Sequence, residues 1–359
     1  MRIVVKVGSN VLTDNSYQIK HAKVKQIVDQ IAEFKSKGRE VILVSSGAVG
    51  SGRERLPKLN ISQKKQVWAA VGQPLLMDLY KQYFTKYKIS IGQCLLLRND
   101  FTDRERYDNF VGTIEGLLKA GVLPIINEND VVAMADLTVG DNDLLAAMVA
   151  VAVAAEKLVL LTNQKGLYTS NPDTDPQAEL ISEVANVDFE LEKLCSKEVS
   201  TLGRGGMLSK VRAAKHAVHA GIETYIADGR DPRMLSRLFK GKANSTKFIV
   251  RYPKVMTAQK RWLLSAKGFG QLIIDDGAAK ALQNNKSLLM PGIIGAKGLF
   301  DRSEIVEIIS KQGLAVAYGK VNYDNNDIQA ALIKRKMNDK KFRLEKEVVH
   351  RDYMAVLHN

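Results

Sequence analysis

The stretch Ile3-Val4-Val5-Lys6-Val7-Gly8-Ser9 joins a short apolar run to a polar, glycine-containing ending. Apart from Lys6 the run is apolar throughout, which is typical of strands buried on both faces of a parallel sheet. Similar runs recur before residue 250, and segments with helical periodicity lie between them. The predicted strands are residues 3–7, 41–45, 91–97, 122–126, 157–161 and 224–227, and the predicted helices are residues 22–37, 62–87, 103–120, 143–155 and 207–220. This alternation predicts an α/β fold, a three-layer sandwich with a mostly parallel central sheet.

The last third of the chain has a different pattern. Residues 268–321 contain eight glycines between short apolar runs at 271–274, 305–309 and 315–317. Short strands separated by glycine turns indicate a small β-rich domain. We therefore predict an α/β domain over residues 1–255, a linker over 256–266 and a small β-rich domain over 267–359.

Composition limits the class of protein. The 359 residues carry 53 Lys and Arg against 39 Asp and Glu, a formal charge of +14, with net +6 in residues 1–250 and net +8 in residues 251–359. A basic tail fits nucleic acid, acidic ligands or simply a solvated surface, and charge alone leaves these open. No uncharged apolar run approaches about 18 residues, so no membrane span is expected. The chain starts directly with a strand and has two cysteines, Cys94 and Cys195, so we expect a cytoplasmic protein without a disulfide framework.

Polar or glycine-rich segments follow several of the predicted strands. Because the carboxyl ends of parallel strands meet at one edge of a sheet, ligand sites are expected there. The segments are residues 6–10, 45–52, 127–130, 140–143 and 162–168. Simpler explanations remain open for each: a strand-end lysine reaching solvent, a glycine-rich turn, and helix capping by Asp141 or Asp143.

A further glycine-rich segment, Gly203-Arg204-Gly205-Gly206, leads into the predicted helix that carries Lys210 in its first turn. Free N–H groups and the positive end of the helix dipole favour a phosphate at such a terminus. An ordinary flexible loop before a helix is the alternative. Neither a P-loop motif nor a G-x-G-x-x-G motif occurs in the chain.

Lysines, glycine loops and aspartates at one predicted edge, with no histidine among them, suit phosphoryl transfer better than hydrolysis or hydride transfer. A carboxylate acceptor is already ionised at pH 7, since a free Glu titrates at about 4.3, and needs no general base. Mg²⁺ would arrive as Mg-ATP, held mainly by phosphates and water. No residues are assigned as metal ligands.

Five motifs in this order resemble those of the glutamate 5-kinases of the amino-acid kinase family. They are residues 4–9, 44–49, 126–130, 139–143 and 161–168, and the segment 203–210 continues the match. The tail resembles a PUA domain, a β-rich module often found in RNA-modifying proteins. The resemblance covers essentially the whole chain. It implies the amino-acid kinase fold with ATP-dependent phosphorylation of the L-glutamate γ-carboxylate, the first step of proline biosynthesis. It also implies feedback inhibition by proline and a homo-oligomer, a dimer or tetramer.

The resemblance assigns roles position by position. Lys6 and Lys210 would neutralise charge on the transferred phosphoryl group, with Asp141 and Asp143 orienting them; these four are the predicted catalytic residues. Glutamate would contact Ser46, Gly47, Asp130 and Asn142, with Asp130 a partner for its α-ammonium group. The nucleotide would contact Thr162, Asn163, Arg204, Gly205, Gly206, Met207, Leu208, Ser209 and Lys210.

Two positions depart from the family pattern. Asn163 stands where related enzymes typically have Asp, and Arg204 stands where a small hydroxyl residue is common. Both departures concern nucleotide affinity and leave the lysines in place. The alternatives are a kinase of the same fold acting on aspartate, N-acetylglutamate or a small phosphate, and an RNA-binding protein whose affinity would fall steeply with salt.

Overall fold

The computed structural model describes residues 1–13, 18–133, 141–172, 174–185, 187, 189–196, 206–250, 256–266, 270–336 and 346–357. The chain divides into two compact units. The first comprises Met1–Asp100 and Asp108–Pro253, and the second comprises Phe101–Tyr107 and Lys254–Asn359. Among the helices of the described residues, none is both long and apolar enough to cross a bilayer.

Within its described residues the first unit has an eight-stranded sheet in the order β3-β4-β2-β1-β5-β7-β8-β6. The strands are β1 Arg2–Val7, β2 Glu40–Ser45, β3 Ile91–Leu96, β4 Leu123–Glu128, β5 Lys157–Thr162, β6 Glu183–Val184, β7 Glu223–Asp228 and β8 Ser245–Phe248. Neighbouring strands run parallel except β7 and β8, which are antiparallel. The six strands predicted from sequence are confirmed, with ends within two residues of the prediction.

Helices connect these strands. They are α1 Ser9–Leu12, α2 His21–Ser36, α3 Ala48–Arg55, α4 Lys64–Thr85, α5 Asn99–Thr102, α6 Arg104–Lys119, α7 Asn142–Ala152, α8 Phe189–Ser196, α9 Met207–His219 and α10 Met234–Phe239. The five predicted helices are confirmed as α2, α4, α6, α7 and α9. Helix α3 was not among the predicted helices, since residues 45–52 were expected to form a ligand-binding segment or a glycine-rich turn. Gly47 precedes this helix with φ +112°, a conformation that glycine adopts without a steric cost.

The two faces of the sheet are covered differently. Val5 and Val7 of β1 belong to a buried cluster with Ile27 of α2 and Tyr80 of α4. Because side chains alternate along a strand, Lys6 points to the opposite face, which is covered by α7. Helix α7 contacts β1, β2, β4 and β5, and the side chains from Leu145 to Ala152 are all buried. These three layers match the predicted sandwich.

Helices α3 and α4 pack with their backbones in direct contact. A Cβ atom on Gly52 would lie 1.8 Å from the Trp68 carbonyl oxygen, and one on Gly72 would lie 1.8 Å from the Ala48 carbonyl oxygen. Only glycine permits this approach. The packing fixes α4 against the segment that leaves the carboxyl end of β2.

The second unit has, among its described residues, a five-stranded sheet in the order β10-β9-β11-β12-β13, with β9 and β11 parallel and the other pairs antiparallel. Its elements are α11 Ala258–Ser265, β9 Gln271–Ile274, α12 Asp276–Gln283, a 3₁₀ turn at Met290–Gly292, β10 Ile293–Lys297, β11 Ile305–Ser310, β12 Ala315–Val321, α13 Asn325–Lys336 and β13 Val349–Val356. The predicted β-rich domain is confirmed as a fold. The predicted linker holds α11, whose buried Trp262 donates to the Phe101 carbonyl at 3.0 Å within the same unit.

Candidate active site

Asp143 is the centre of a buried charge cluster at the carboxyl edge of the first sheet. Its side chain has no exposed surface, and Lys6 Nζ from β1 lies 2.5 Å from its Oδ1. Lys210 Nζ from α9 lies 3.0 Å from its Oδ2. Both lysine side chains are themselves nearly buried. The fold therefore brings together three of the four predicted catalytic residues in direct contact.

The electrostatics of this cluster follow from burial and from the two cations. Burial by itself would raise the pKa of the Asp143 carboxyl, but attraction and hydrogen bonds from Lys6 and Lys210 outweigh it and hold that pKa below its ordinary value. Asp143 is therefore ionised at neutral pH and keeps the ammonium groups of both lysines in place.

The two carboxylate oxygens of Asp141, the fourth predicted catalytic residue, have different surroundings. Its Oδ1 accepts from the Asp143 N–H at 2.9 Å, so it caps the start of α7, as the simpler interpretation held. Its Oδ2 is buried and has no hydrogen-bond partner among the described residues. Burial and then repulsion from Asp143 raise the pKa of Asp141, against the attraction of Lys6. A buried carboxylate oxygen without a partner is costly and indicates a group that a ligand or water completes.

The first turn of α9 faces the same cluster. Gly206 precedes the helix without a side-chain cap, and no acidic residue lies in the first turn. The Ser209 hydroxyl lies within hydrogen-bond distance of the Gly206 carbonyl at 2.8 Å and of Asp143 Oδ2 at 3.2 Å. The helix begins at Met207, as predicted. Uncapped N–H groups and Lys210 together make this terminus suitable for a phosphate.

A chain of amides extends from the cluster toward β2 and β4. Asn142 Nδ2 carries two protons and lies within hydrogen-bond distance of three acceptors, Ser46 Oγ at 3.0 Å, the Ser45 carbonyl at 3.3 Å and Asn127 Oδ1 at 2.9 Å, so two of these acceptors share one proton. Asn142 Oδ1 is buried and has no partner among the described residues. The predicted substrate residues Ser46 and Asn142 are thus in direct contact.

The other predicted site residues lie at the ends of neighbouring strands. Gly47 follows Ser46 in the left-handed conformation, and Asp130 lies half-buried in the turn after β4. Thr162 ends β5, is buried, and lies 3.3 Å from the side-chain oxygen of the exposed Asn163. Met207 is buried and Leu208 half-buried in the first turn of α9. Arg204 and Gly205 lie outside the described residues.

Two supporting residues were not predicted from the sequence. Gln73 and Tyr80 lie seven positions apart on α4, and both are buried. Gln73 Oε1 accepts from Asn127 Nδ2 at 2.9 Å, and the Tyr80 hydroxyl lies 2.8 Å from Ser45 Oγ. The sequence did contain one signal: Gln73 lies at helical spacing from Leu76 and Tyr80, so a polar side chain occupies the apolar face of α4.

Comparison with known proteins shows the family of this chain. The profile of the Amino acid kinase family matches residues 1–228, which carry all the charged residues of the site. The chain belongs to the amino acid kinase family. A PUA domain profile matches residues 270–342 of this amino acid kinase, within the second unit. The family and fold class predicted from sequence are confirmed.

This amino acid kinase has close relatives of known name. It is 41% identical over 366 residues to the glutamate 5-kinase of Paraburkholderia xenovorans, covering 99% of this chain and 98% of the relative. It is 41% identical over 363 residues to the glutamate 5-kinase of Vibrio vulnificus, covering 99% and 96%. The solved structure of carbamate kinase from Giardia lamblia bound to AMP-PNP superposes with a TM-score of 0.52 at 19% identity, over 69% of this chain and 98% of that one. That similarity concerns the fold alone.

Proposed function

We propose that this chain phosphorylates the γ-carboxylate of L-glutamate with ATP, giving L-glutamyl 5-phosphate for proline synthesis. The observation that carries the proposal is the convergence of Lys6 and Lys210 on the fully buried Asp143. The near-full-length similarity to glutamate 5-kinases supports the choice of acceptor.

The proposed reaction is an in-line phosphoryl transfer. A γ-carboxylate oxygen of glutamate attacks the γ-phosphorus of ATP, the bond from that phosphorus to the bridging oxygen breaks, and ADP leaves with the electron pair. The acceptor is already ionised at neutral pH, so no proton has to be removed. Lys6 and Lys210 neutralise charge on the transferred group, and Asp143 holds both ammonium groups in position.

The residues present fit ATP brought in with Mg²⁺. The uncapped first turn of α9, from Gly206 to Lys210, would hold the phosphates, and Thr162 and Asn163 lie at the neighbouring strand end. Among the described residues no group of three or more His, Cys, Asp or Glu side chains is arranged to hold a metal ion. This donor set suits a cation that brings phosphate and water ligands with it. Bound as Mg-ATP, the ion would neutralise charge on the phosphates.

The glutamate end of the site would lie at Ser46, Gly47, Asp130 and Asn142. The buried Asn142 Oδ1 is an acceptor without a partner among the described residues, and Asp130 supplies a carboxylate at the next strand end. Both suit the α-ammonium group of an amino acid.

The test is an ADP-release assay with Mg-ATP and one acceptor at a time, with hydroxylamine present to trap an acyl phosphate as the hydroxamate. The acceptors are L-glutamate, L-aspartate and N-acetyl-L-glutamate. We expect hydroxamate with L-glutamate only. Hydroxamate formed preferentially with either of the other two acceptors, or with none, would contradict the proposal.

Four finer features are part of the same proposal; the first two below rest on the family resemblance and the other two on the sequence pattern. We propose feedback inhibition by proline, assembly into a homodimer or homotetramer, a cytoplasmic location, and domain limits at residues 1–255 and 267–359. Proline titration of the hydroxamate assay and light scattering of the purified protein test the first two. Unchanged activity in millimolar proline would contradict the feedback inhibition. A monomer in light scattering would contradict the assembly.

A further inference from the structure

We propose that Gln73 is a positioning residue that fixes the hydrogen-bonding polarity of the glutamate site. The inference rests on the proposed function and names a residue that does not itself touch the reacting atoms. Gln73 lies on α4 and is 8% exposed, and its side-chain oxygen Oε1 accepts from Asn127 Nδ2 at 2.9 Å. The connection from Gln73 to Ser46 runs through two buried or half-buried amides, Asn127 and Asn142.

The orientation of each amide follows from two backbone groups of fixed character. The Glu128 N–H can only donate, so the Asn127 atom 2.9 Å from it is the oxygen, Oδ1. The Ser45 carbonyl can only accept, so the Asn142 atom 3.3 Å from it is the nitrogen, Nδ2. Asn127 Nδ2 then points toward Gln73 and requires an acceptor, which Gln73 Oε1 supplies.

This orientation determines what the site offers to a ligand. Because Ser46 Oγ accepts from Asn142 Nδ2, the Ser46 hydroxyl proton remains available to an acceptor. Because Asn142 Nδ2 makes the contacts to protein, Asn142 Oδ1 remains available to a donor. A donor next to an acceptor is complementary to the carboxylate and ammonium groups of an amino acid.

Gln73 is held firmly enough to set this orientation. The preceding residue, Gly72, packs against the backbone of α3, where a Cβ atom would lie 1.8 Å from the Ala48 carbonyl oxygen and 2.4 Å from the Gly52 nitrogen. The position of the Gln73 backbone is therefore fixed relative to the segment that begins at Gly47. Without the Gln73 acceptor, a buried N–H of Asn127 would have no partner, and rotation of that amide would turn a donor toward Asn142 Nδ2.

The test compares Gln73→Met with Gln73→Glu. Both side chains have nearly the length of glutamine, but only Glu keeps an acceptor for Asn127 Nδ2. If the hydrogen bond positions the site, we expect Met to raise the KM for L-glutamate about tenfold or more, with kcat and the KM for ATP changed less than threefold. We expect Glu to keep the glutamate KM within about threefold of wild type. A role in packing alone predicts the reverse order, since Met suits an apolar environment and a buried charge does not.

Gln30→Met is the matched control. Gln30 is a buried glutamine on α2, and its amide bonds the backbone at Asp231 and Leu235 rather than a site residue. We expect this variant to lose thermal stability without any change in the glutamate KM. If Gln73→Glu fails to fold, the comparison of Gln73→Met with Gln30→Met still decides.

Two outcomes would overturn the inference. One is a Gln73→Met enzyme with the wild-type KM for glutamate, and the other is an enzyme in which the KM values for glutamate and for ATP rise by similar factors. The wild-type measurement separates this failure from that of the proposed function. A wild-type protein that makes no hydroxamate from L-glutamate overturns both, whereas an active wild type with an insensitive Gln73→Met variant overturns the positioning role alone.

Discussion

The two edges of the central sheet handle charge in different ways. At the amino edge, Arg2 pairs with Glu40 at 2.8 Å and with Glu115 at 2.5 Å, and Glu223 pairs with Lys157 and Lys247. These carboxylates are between 25% and 46% exposed. At the carboxyl edge, Asp143 is fully buried and meets two nearly buried lysines.

The two edges differ in the number of buried polar atoms that have no hydrogen-bond partner among the described residues. The amino-edge charges are paired and partly hydrated, so they need nothing further. The carboxyl edge buries Asp141 Oδ2 and Asn142 Oδ1 without hydrogen-bond partners among the described residues. Buried polar atoms are costly unless satisfied, so these atoms beside two cations make the carboxyl edge the candidate ligand site.

The largest expected effect is the difference between removing a cation at the carboxyl edge and removing one at the amino edge. Lys210→Met should lower kcat for glutamate phosphorylation about 100-fold or more, because a preorganised charge facing the transferred group is lost. Lys157→Met, at the amino edge, should leave kcat within about twofold. Steady-state kinetics of the two variants test the contrast. A loss at Lys210 confined to KM would make this lysine a ground-state binding residue.

The second-largest expected effect is the change in stability when a glycine near each edge is replaced by alanine. Gly72→Ala places a methyl group against the α3 backbone beside the carboxyl edge, and should destabilise the protein by about 1–3 kcal/mol. Gly116→Ala is the control, on α6 next to Glu115, where an added Cβ meets no atom within 4 Å. It should raise stability by up to about 1 kcal/mol, since glycine is a poor helix former. Urea unfolding of both variants measures the difference, and equal effects would show that the close α3–α4 packing is wrong.

The smallest expected effect concerns pH at the amino edge. Burial opposes ionisation of Glu223, but hydrogen bonds from Lys157, Tyr225 and Lys247 outweigh it and lower the pKa of Glu223 to about 2. A lowered folded-state pKa stabilises the protein above the unfolded value of about 4.5 and loses that contribution as the pH falls toward 2. Glu223→Gln should therefore cost about 1 kcal/mol at pH 7, a figure reduced by partial hydration. The cost should shrink steadily in unfolding measurements taken from pH 4.5 downward; a cost that stays constant would contradict the assignment.

Periodicity was sufficient for most of the fold because the central strands are buried on both faces. The run at residues 3–7 is apolar except for Lys6 and is too short for a typical helix, so a strand is favoured. Helix α7 is apolar on every side after its first two residues. Helix α3 was not predicted because residues 45–52 contain three glycines and three serines, a composition typical of a loop or turn rather than a helix. Its stability depends on backbone contact with α4 through Gly52 and Gly72, a tertiary effect that no local pattern reveals.

The contacts of the candidate site were predictable for side chains near strand ends and not for side chains from the middle of a helix, and the roles of these residues stay predictions. The strand order places the end of β1, with Lys6, beside the start of α7, with Asn142 and Asp143. Their proximity therefore follows from the parallel arrangement of the strands. Gln73 and Tyr80 come from the middle of a long helix, and their partners are 54 and 35 residues away in sequence. A sequence pattern indicates that such a side chain is buried, but it does not identify the group it bonds.

A double-mutant cycle on Lys210 and Asp143 tests the central claim most directly. If Asp143 acts by holding the lysines, Asp143→Asn alone should lower kcat about 100-fold, and adding Lys210→Met should lower it less than about fivefold further. Hydroxamate formation from L-glutamate at saturating Mg-ATP gives kcat for all four proteins. Losses that multiply to about 10⁴-fold in the double variant would show that Asp143 and Lys210 act independently, and would contradict the account.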